Sequence, residues 1–372
     1  MQKEKRINSA NKRAMTQIKV SVIIPVYNAE EFLADCIQSL ISQTLEECEF
    51  IFVNDGSTDS SQQIIKQFQE KDHRIILINQ ENVGRSAARN IGIIDATGRY
   101  IGFVDSDDFV LEEMFENLYN RATEFDTDIV ISNYFLGRDD KYIIKNAIFP
   151  VNILYDQNFI QKNVIPNLLE REDLFAVWNK IYKRELIISH SIVFPNEYEE
   201  DQMFNLWVFN TVSNVLFIDY AGYFYREVFN GVSKNIFKID YFGIARQKLH
   251  VDYKKRYNLT IPYGEFEKLK AIRFIQKVFY LLFKYATAEI SFSDKLKKIQ
   301  IMVFDPEVNM LSKKYHKDIL KNQGIFEALV LKIIKNKSVA GLYLLVLAVK
   351  LTYHPKTSEI IRNLNNFKFK KT

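Results

Sequence analysis

The segment Phe103–Asp108, with the sequence FVDSDD, places three carboxylates directly after a short apolar run. Asp105, Asp107 and Asp108 repel one another, and unpaired charge at a buried strand end is costly, so the natural partner of this cluster is a hard divalent cation. A cation held there could bind a phosphate group. The alternative is that the aspartates only cap a helix that begins near Leu111, because Asp and Ser favour that position.

The elements that lead to this cluster alternate between strands and helices. Val20–Val26 is almost continuously apolar, which predicts a strand buried on both faces of a parallel sheet. Apolar residues at helical spacing follow it, and the same order recurs after the predicted strands Phe50–Val53 and Ile75–Ile78. A fourth strand ends at Asp105. This alternation predicts an α/β fold with right-handed crossovers and one doubly wound sheet.

Three side chains fall at the carboxyl ends of the predicted strands, where ligands bind in such a sheet: Tyr27, Asp55 and Asp105. Together they predict a nucleotide pocket. Tyr27 either stacks on a base or belongs to the core. Asp55 either accepts a hydrogen bond from a base or a sugar hydroxyl, or only stabilises its Asp-Gly turn.

The motifs VSVIIPVYN, VNDGSTD, GRSAARNIGI and FVDSDD, in this order, resemble the inverting family 2 glycosyltransferases of the GT-A fold. The resemblance covers residues 18–235. It implies a Rossmann-like GT-A catalytic domain, a nucleoside diphosphate sugar as donor and a divalent metal, Mn²⁺ or Mg²⁺. A metal also suits the chemistry of such a transfer, because a cation that bridges the phosphates stabilises the charge on a diphosphate leaving group.

The resemblance also assigns roles to individual residues. Asp105 would contact the donor ribose, and Asp107 would hold the metal with Asp108 in support. Arg85 and Arg89 lie four residues apart near the start of the third helix, where they either reach the diphosphate or form a solvated helix face. By the same resemblance, the donor-binding residues are Pro25, Tyr27, Asp55, Arg85, Arg89, Asp105, Ser106, Arg226 and Ser233.

The acceptor side is assigned by further matches to the family. Asp201 matches the general base, the single carboxylate that takes the proton of the attacking hydroxyl in an inverting transfer, although acidic residues at a helix start are ordinary. Glu200 either orients Asp201 or binds the acceptor. Trp178, in VWNKIYKREL, either faces an acceptor sugar or lies in the core. Downstream, YFYREVFNGVSKN resembles the segment that closes over the donor, with Arg226 and Ser233 in the matching positions and the alignment of Ser233 left open.

Charge is segregated along the 372 residues. Residues 1–240 contain 24 basic and 36 acidic side chains, a net charge of −12, whereas residues 241–372 contain 26 and 10, a net charge of +16. We expect residues 236–372 to form a basic, mostly helical C-terminal region. The apolar stretch Val339–Leu351 is too short to span a membrane, so it predicts an interfacial helix on an anionic membrane, a buried helix or a homo-oligomer contact.

The N-terminal residues 1–17 are polar and basic and are expected to be disordered. They lack an apolar segment of signal-peptide length, and Met15 is an alternative start. We therefore expect a cytoplasmic protein, with peripheral contact at the inner face of the plasma membrane as the alternative. Cys36 and Cys48 lack metal-ligand spacing and are expected to be reduced. No nucleic-acid motif accompanies the basic charge, so nucleic acid is not an expected partner.

The function expected from these patterns is metal-dependent, inverting sugar transfer. The donor would be a UDP-hexose or a UDP-N-acetylhexosamine, and the acceptor a hydroxyl of a growing or lipid-linked bacterial surface glycan such as capsule, exopolysaccharide or teichoic acid. A sugar nucleotidyltransferase is one alternative, although it would normally carry a Gly-rich basic loop where this chain has PVYNAEE. A non-catalytic nucleotide-sugar-binding component of a polysaccharide assembly is the other. Pocket shape, which the sequence does not show, chooses the sugar.

Overall fold

The computed structural model describes residues 17–138, 141–227, 239–288, 290–321, 325–338, 341 and 344–345. The chain divides into two compact units, Met1–Lys234 and Asn235–Thr372. The predicted disordered N-terminus therefore lies outside the described residues, apart from Gln17.

The described part of the first unit contains a mixed sheet of ten strands. The order along the main path is β3-β2-β1-β4-β9-β6-β10-β5, with β7 beside β6 and β8 beside β10. The strands are β1 (Val20–Val26), β2 (Cys48–Asp55), β3 (Ile75–Gln80), β4 (Tyr100–Phe103), β5 (Phe109–Val110), β6 (Ile129–Arg138), β7 (Lys141–Lys145), β8 (Leu154–Asp156), β9 (Lys180–Lys183) and β10 (Asn214–Arg226).

The first four strands form the parallel half of this sheet. β1 lies between β2 and β4 and is parallel to both, so the strand order reverses between β1 and β4, and the carboxyl ends of these strands share one edge. The residues of β2 are all buried, which is why its sequence shows no polar face. The α/β prediction is confirmed, and the structure adds a mixed half, in which β9 is antiparallel to β4 and β6.

Helices flank the strands of the first unit. A π-helical turn, Ile160–Val164, separates the two short helices Gln157–Phe159 and Ile165–Glu170. The helices are α1 (Leu33–Ile41), α2 (Ser61–Gln69), α3 (Arg85–Asp95), α4 (Met114–Glu124), α5 (Gln157–Phe159), α6 (Ile165–Glu170), α7 (Arg184–Ser189) and α8 (Glu200–Thr211).

Every regular element among the described residues of the second unit is a helix, which agrees with the mostly helical region that the sequence predicts. The apolar run Ile272–Ala286 lies inside its longest helix. The helices are α9 (Tyr241–Leu249), α10 (Tyr253–Arg256), α11 (Tyr263–Thr287), α12 (Phe292–Val303), α13 (Pro306–Lys314), α14 (His316–Leu320) and α15 (Ile325–Asn336). Within the described ranges, no helix combines the length and apolar character needed to cross a membrane. The stretch Val339–Leu351 falls almost wholly outside those ranges.

Helix α3 lies unusually close to β1 because of one glycine. A Cβ atom on Gly92 would stand 2.4 Å from Cγ2 of Ile23, which is far inside van der Waals contact. Both residues are buried, so no flexible side-chain end can move aside into solvent. The height of α3 above the sheet, and with it the position of the arginines at its start, depends on the absence of a side chain at Gly92.

We expect Gly92→Ala to lower the free energy of unfolding by about 1–3 kcal/mol, because the added methyl group must push α3 away from β1. Urea unfolding followed by tryptophan fluorescence measures this, since Trp178 and Trp207 both lie in the first unit. The matched control is Ile94→Ala on the same helix, where the side chain is exposed and the expected change is within about 0.5 kcal/mol. Equal effects of the two substitutions would contradict this account of Gly92.

Candidate active site

Tyr27 stands at the carboxyl end of β1 with 52% of its surface exposed, so the alternative that it belongs to the core is wrong. The turn that carries it is tied to the turn after β2. The backbone N–H of Asn28 donates to Ser57 Oγ at 3.1 Å, and the N–H of Thr58 donates to Asn28 Oδ1 at 2.8 Å. Pro25 is half-buried within β1, in register with Val53.

Asp55 ends β2 and is buried. Its Oδ1 accepts hydrogen bonds from Gln80 Nε2 at 2.6 Å and from the N–H of Val83 at 2.9 Å, and its Oδ2 accepts from the N–H of Gly84 at 2.9 Å. Gly84 has φ +97°, a conformation that favours glycine, and it immediately precedes α3. Asp55 therefore fixes the turn into α3, a role that neither sequence interpretation anticipated.

The acidic loop, residues 105–108, follows β4. The helix-capping alternative for this loop is wrong, because β5 intervenes and α4 begins only at Met114, after Glu113. Tyr223 on β10 holds the loop instead. Its hydroxyl donates to Asp108 Oδ2 at 2.6 Å and accepts from the backbone N–H of Asp105 at 3.1 Å. Tyr223 was not among the predicted site residues, although the three consecutive aromatic residues Tyr223–Tyr225 indicated a strand in which every second side chain faces inward.

Asp107 is the carboxylate of the loop that suits a cation. Burial, and then the nearby Asp105 carboxylate, raises the pKa of Asp107 to about 6. A carboxylate that has lost water and lies beside a like charge gains most from a bound cation. In the part of the chain that the structure describes, no three His, Cys, Asp or Glu side chains converge as a metal site. The raised pKa of Asp107 fits a cation-binding role, and an ion of the Mg²⁺ type takes one or two protein carboxylates together with substrate phosphates.

Asp108 is enclosed and engaged by protein donors. Besides the Tyr223 hydroxyl, its Oδ1 accepts from the backbone N–H of Arg226 at 2.8 Å. Burial, together with Asp107 and Asp105, raises the pKa of Asp108 well above its usual range. The Arg226 guanidinium lies 4.8 Å from the centre of the Phe32 ring. Asp108 thus links the acidic loop to the end of β10, which is consistent with a supporting role.

Arg89 occupies the centre of the site and is 1% exposed. Its Nη2 donates to Asp105 Oδ1 at 2.8 Å, and its Nη1 donates to Asp201 Oδ1 at 2.7 Å and to Glu200 Oε1 at 3.2 Å. Burial by itself would lower the pKa of Arg89, but Asp201, Asp105 and Glu200 raise it above its usual value, so the guanidinium remains charged. The solvated-face alternative is wrong for Arg89.

Glu200 is buried at the start of α8, and both of its carboxylate oxygens are paired. Oε2 accepts from Arg85 Nη2 at 3.0 Å, and Oε1 interacts with Arg89 and with Arg85 Nε. This enclosure favours orientation of Asp201 over contact with an acceptor. Arg85 is more than half exposed, so it remains the one of the two helix α3 arginines with a surface that a ligand can reach.

Asp201 lies one residue into α8 with part of its carboxylate exposed. Burial raises the pKa of Asp201 to about 6, while the Arg89 guanidinium opposes the rise. Such a pKa suits a general base, because the carboxylate is ionised at neutral pH yet more basic than an ordinary aspartate. The sequence-predicted base and the donor-side carboxylate Asp105 are thus joined through one side chain.

Trp178 is only 7% exposed. Its ring stacks on Tyr223 at a centroid distance of 4.3 Å and meets Tyr134 edge-on at 4.7 Å. The structure therefore favours the core alternative over a sugar-facing ring. Ser106 lies in the acidic loop and is half-buried, and Ser233 lies outside the described residues.

Comparison with known proteins places this site in a family. The family model described as "Glycosyl transferase family 2" matches residues 21–189. EpsJ of Bacillus subtilis, an uncharacterised glycosyltransferase, is 36% identical over 66% of the chain and 70% of that protein. The chain belongs to glycosyltransferase family 2. Glycosyltransferase GlyA of Streptococcus pneumoniae is 37% identical over 56% of the chain, but the match spans only 30% of GlyA.

Two solved structures of S. aureus TarS agree with the fold. A crystal structure of TarS 1–349 superimposes with a TM-score of 0.60 at 19% identity, and the match covers 91% of this chain and 93% of the TarS 1–349 chain. A second TarS structure, in complex with UDP, gives a TM-score of 0.58 at 18% identity, with the same coverage. The GT-A prediction is confirmed, and the protein is a glycosyltransferase.

We expect Tyr223→Phe to lower the sugar transfer activity of this glycosyltransferase at least about tenfold, because the acidic loop loses the hydroxyl that joins Asp105 to Asp108. The matched control is Tyr100→Phe, which removes another buried hydroxyl, bonded to the carbonyl of Thr127 at 2.9 Å. Both variants should lose about 1–2 kcal/mol of unfolding free energy. Steady-state rates and urea unfolding test the pair, and equal activities would show that the Tyr223 hydroxyl only stabilises the fold.

Proposed function

We propose that this chain is a metal-dependent, inverting glycosyltransferase that moves a hexose or N-acetylhexosamine from a UDP donor to a hydroxyl of a growing bacterial surface glycan. The observation that carries the proposal is the double contact of Arg89, which bonds Asp105 on the donor side and Asp201 on the base side. One donor carboxylate and one base in the same site are what a single displacement requires. The UDP complex of the similar TarS supports the choice of nucleotide.

The donor half of the proposed site is the rim formed by Tyr27 and the acidic loop. The exposed Tyr27 ring is free to stack on the uracil base, and Asp105 keeps one oxygen for the ribose while Arg89 holds the other. Asp107 would hold Mn²⁺ or Mg²⁺. When bound, the ion neutralises charge on the diphosphate as it leaves.

The acceptor half is centred on Asp201. Arg89 fixes one carboxylate oxygen of Asp201, which leaves the other for the proton of the attacking hydroxyl. Glu200, held by both arginines of α3, keeps the start of α8 in place. Since the base acts once and no nucleophilic side chain is needed, the displacement inverts the anomeric carbon.

We expect Asp201→Asn to reduce transfer by about 10²–10⁴-fold and to leave UDP binding nearly unchanged, because the amide oxygen still accepts from Arg89 but the side chain no longer takes a proton. In the unmodified enzyme, kcat/KM should fall tenfold per pH unit below about pH 6, where Asp201 becomes protonated. Mass detection of UDP released from a panel of UDP-sugars measures transfer, and calorimetry measures UDP binding. Asp95→Asn, at the exposed end of α3, is the control, and full turnover by Asp201→Asn would refute the base assignment.

Asp107→Ala tests the metal assignment separately. In the unmodified protein we expect Mn²⁺ to increase the affinity for UDP, because Asp107 would hold the ion and the ion would offset the negative charge of the diphosphate. In the variant, the UDP affinity measured with Mn²⁺ should fall at least about tenfold, and the UDP affinity measured without metal should stay the same. Titration calorimetry with UDP, with and without Mn²⁺, measures both quantities, and Asp95→Ala serves as the control. An unchanged Mn²⁺ effect in Asp107→Ala would remove Asp107 from the metal site.

A further inference from the structure

Tyr225 is a partly exposed aromatic residue near the acidic loop, and it belongs to none of the contacts described so far. It lies on β10 between Phe224 and Arg226, two residues after the tyrosine that holds the acidic loop, and therefore on the same face of the strand as Tyr223. Its side chain is 39% exposed, whereas Tyr223 is fully buried. A tyrosine ring that is open to solvent offers a flat apolar face and a polar tip to a ligand.

The Tyr225 ring is the outer member of an aromatic stack. The ring of Trp178 lies against Tyr225 at a centroid distance of 5.5 Å and an interplanar angle of 22°. The same Trp178 ring also stacks on Tyr223 at 4.3 Å and 19°, and Tyr134 meets it edge-on at 4.7 Å. Trp178 thus packs against both tyrosine rings, and this packing limits the orientations that the exposed Tyr225 ring can take.

Hydrogen bonds connect this aromatic stack to the acidic loop and to helix α8. At one end, the Tyr223 hydroxyl bonds Asp108 and the backbone of Asp105. At the other, the segment that leads to Trp178 is held by Asn205 on α8, whose Nδ2 donates to the carbonyl of Phe175 at 2.7 Å. Asn205 lies one helical turn beyond Asp201, so the same helix positions the base and the aromatic stack.

The Tyr225 hydroxyl is a hydrogen-bond donor at neutral pH. Partial burial, followed by the negative charges of Asp108, Asp105 and Asp107, raises the pKa of Tyr225 to about 12, so the hydroxyl stays protonated. A flat ring with a fixed orientation and a donor at its tip matches a pyranose, which has one apolar C–H face and hydroxyls around its rim.

We propose that Tyr225 is a stacking platform for a pyranose ring, backed by Trp178, in the sugar-binding half of the site. The inference rests on the proposed glycosyl transfer and deepens it by naming a substrate contact. The pyranose comes either from the donor or from the acceptor. Both present the same C–H face, so the experiment distinguishes the two sources.

The test uses the fluorescence of Trp178 in the full-length protein. The chain contains two tryptophans, so Trp207→Phe leaves Trp178 as the only one. Two sets of probes are titrated: the UDP-sugars of glucose, galactose and their N-acetyl forms, and the methyl glycosides of the same sugars with UDP present. We expect at least one probe to change the emission of Trp178. A response to the UDP-sugars alone assigns the platform to the donor, and a response to a methyl glycoside assigns it to the acceptor.

When Tyr225→Ala is added to the Trp207→Phe variant, the affinity for the sugar probe that changes Trp178 emission should fall about tenfold, because the stacking surface is removed. Tyr225→Phe should keep the affinity within about threefold, since it loses only the hydroxyl bond. The control is Tyr280→Ala, which removes an exposed tyrosine from α11 in the second unit. UDP affinity, measured by calorimetry, should be the same in all variants.

Two results would overturn the platform. One is that no probe changes Trp178 emission although UDP binds, and the other is that Tyr225→Ala binds the responding sugar as tightly as the parent. Neither result would contradict the proposed function. The proposed function would be contradicted if UDP did not bind or if no UDP-sugar were consumed. The two failures are therefore separated by the UDP titration and the turnover assay.

Discussion

The buried guanidinium of Arg89 is the interaction on which the site depends. Placing a cation in the interior is costly, and here the cost is offset by three carboxylates that reach it from two distant segments. Asp105 comes from the end of a parallel strand, whereas Glu200 and Asp201 come from the start of α8. Both halves are thus located relative to one side chain, whose height above the sheet is set by the contact of Gly92 with Ile23.

Strand β10 is the second element that positions the site. Its parallel partner is β6, and its last residues run past the acidic loop. Tyr223 and the backbone of Arg226 fix Asp108, while Tyr225 extends along the same face as an open ring. The acidic loop and the Tyr225 ring are therefore both held by β10, so the sheet fixes the position of the surface that Tyr225 presents.

The elements predicted best from the sequence were those specified locally. Continuous apolar runs identified β1 and β2, and parallel pairing then placed Tyr27, Asp55 and Asp105 at one edge, as the structure shows. Contacts between distant segments could not be read from the sequence. The partners of Arg89 depend on how α8 packs, and the burial of Trp178 depends on β9 pairing with β4 and β6. Spacing alone could therefore not tell Arg89 from the more exposed Arg85, nor a core tryptophan from a ligand contact.

The balance of charge in the site has a thermodynamic consequence. Among the described residues of the site, five carboxylates stand beside three guanidinium groups: Asp105, Asp107, Asp108, Glu200 and Asp201 beside Arg85, Arg89 and Arg226. A diphosphate that enters alone adds negative charge near these carboxylates, whereas a divalent cation that accompanies it would offset that charge. Binding of the two is then linked, and each must increase the affinity for the other by the same factor. With this charge balance, the occupancy of the site by a diphosphate and a divalent cation together would depend on the product of their two concentrations.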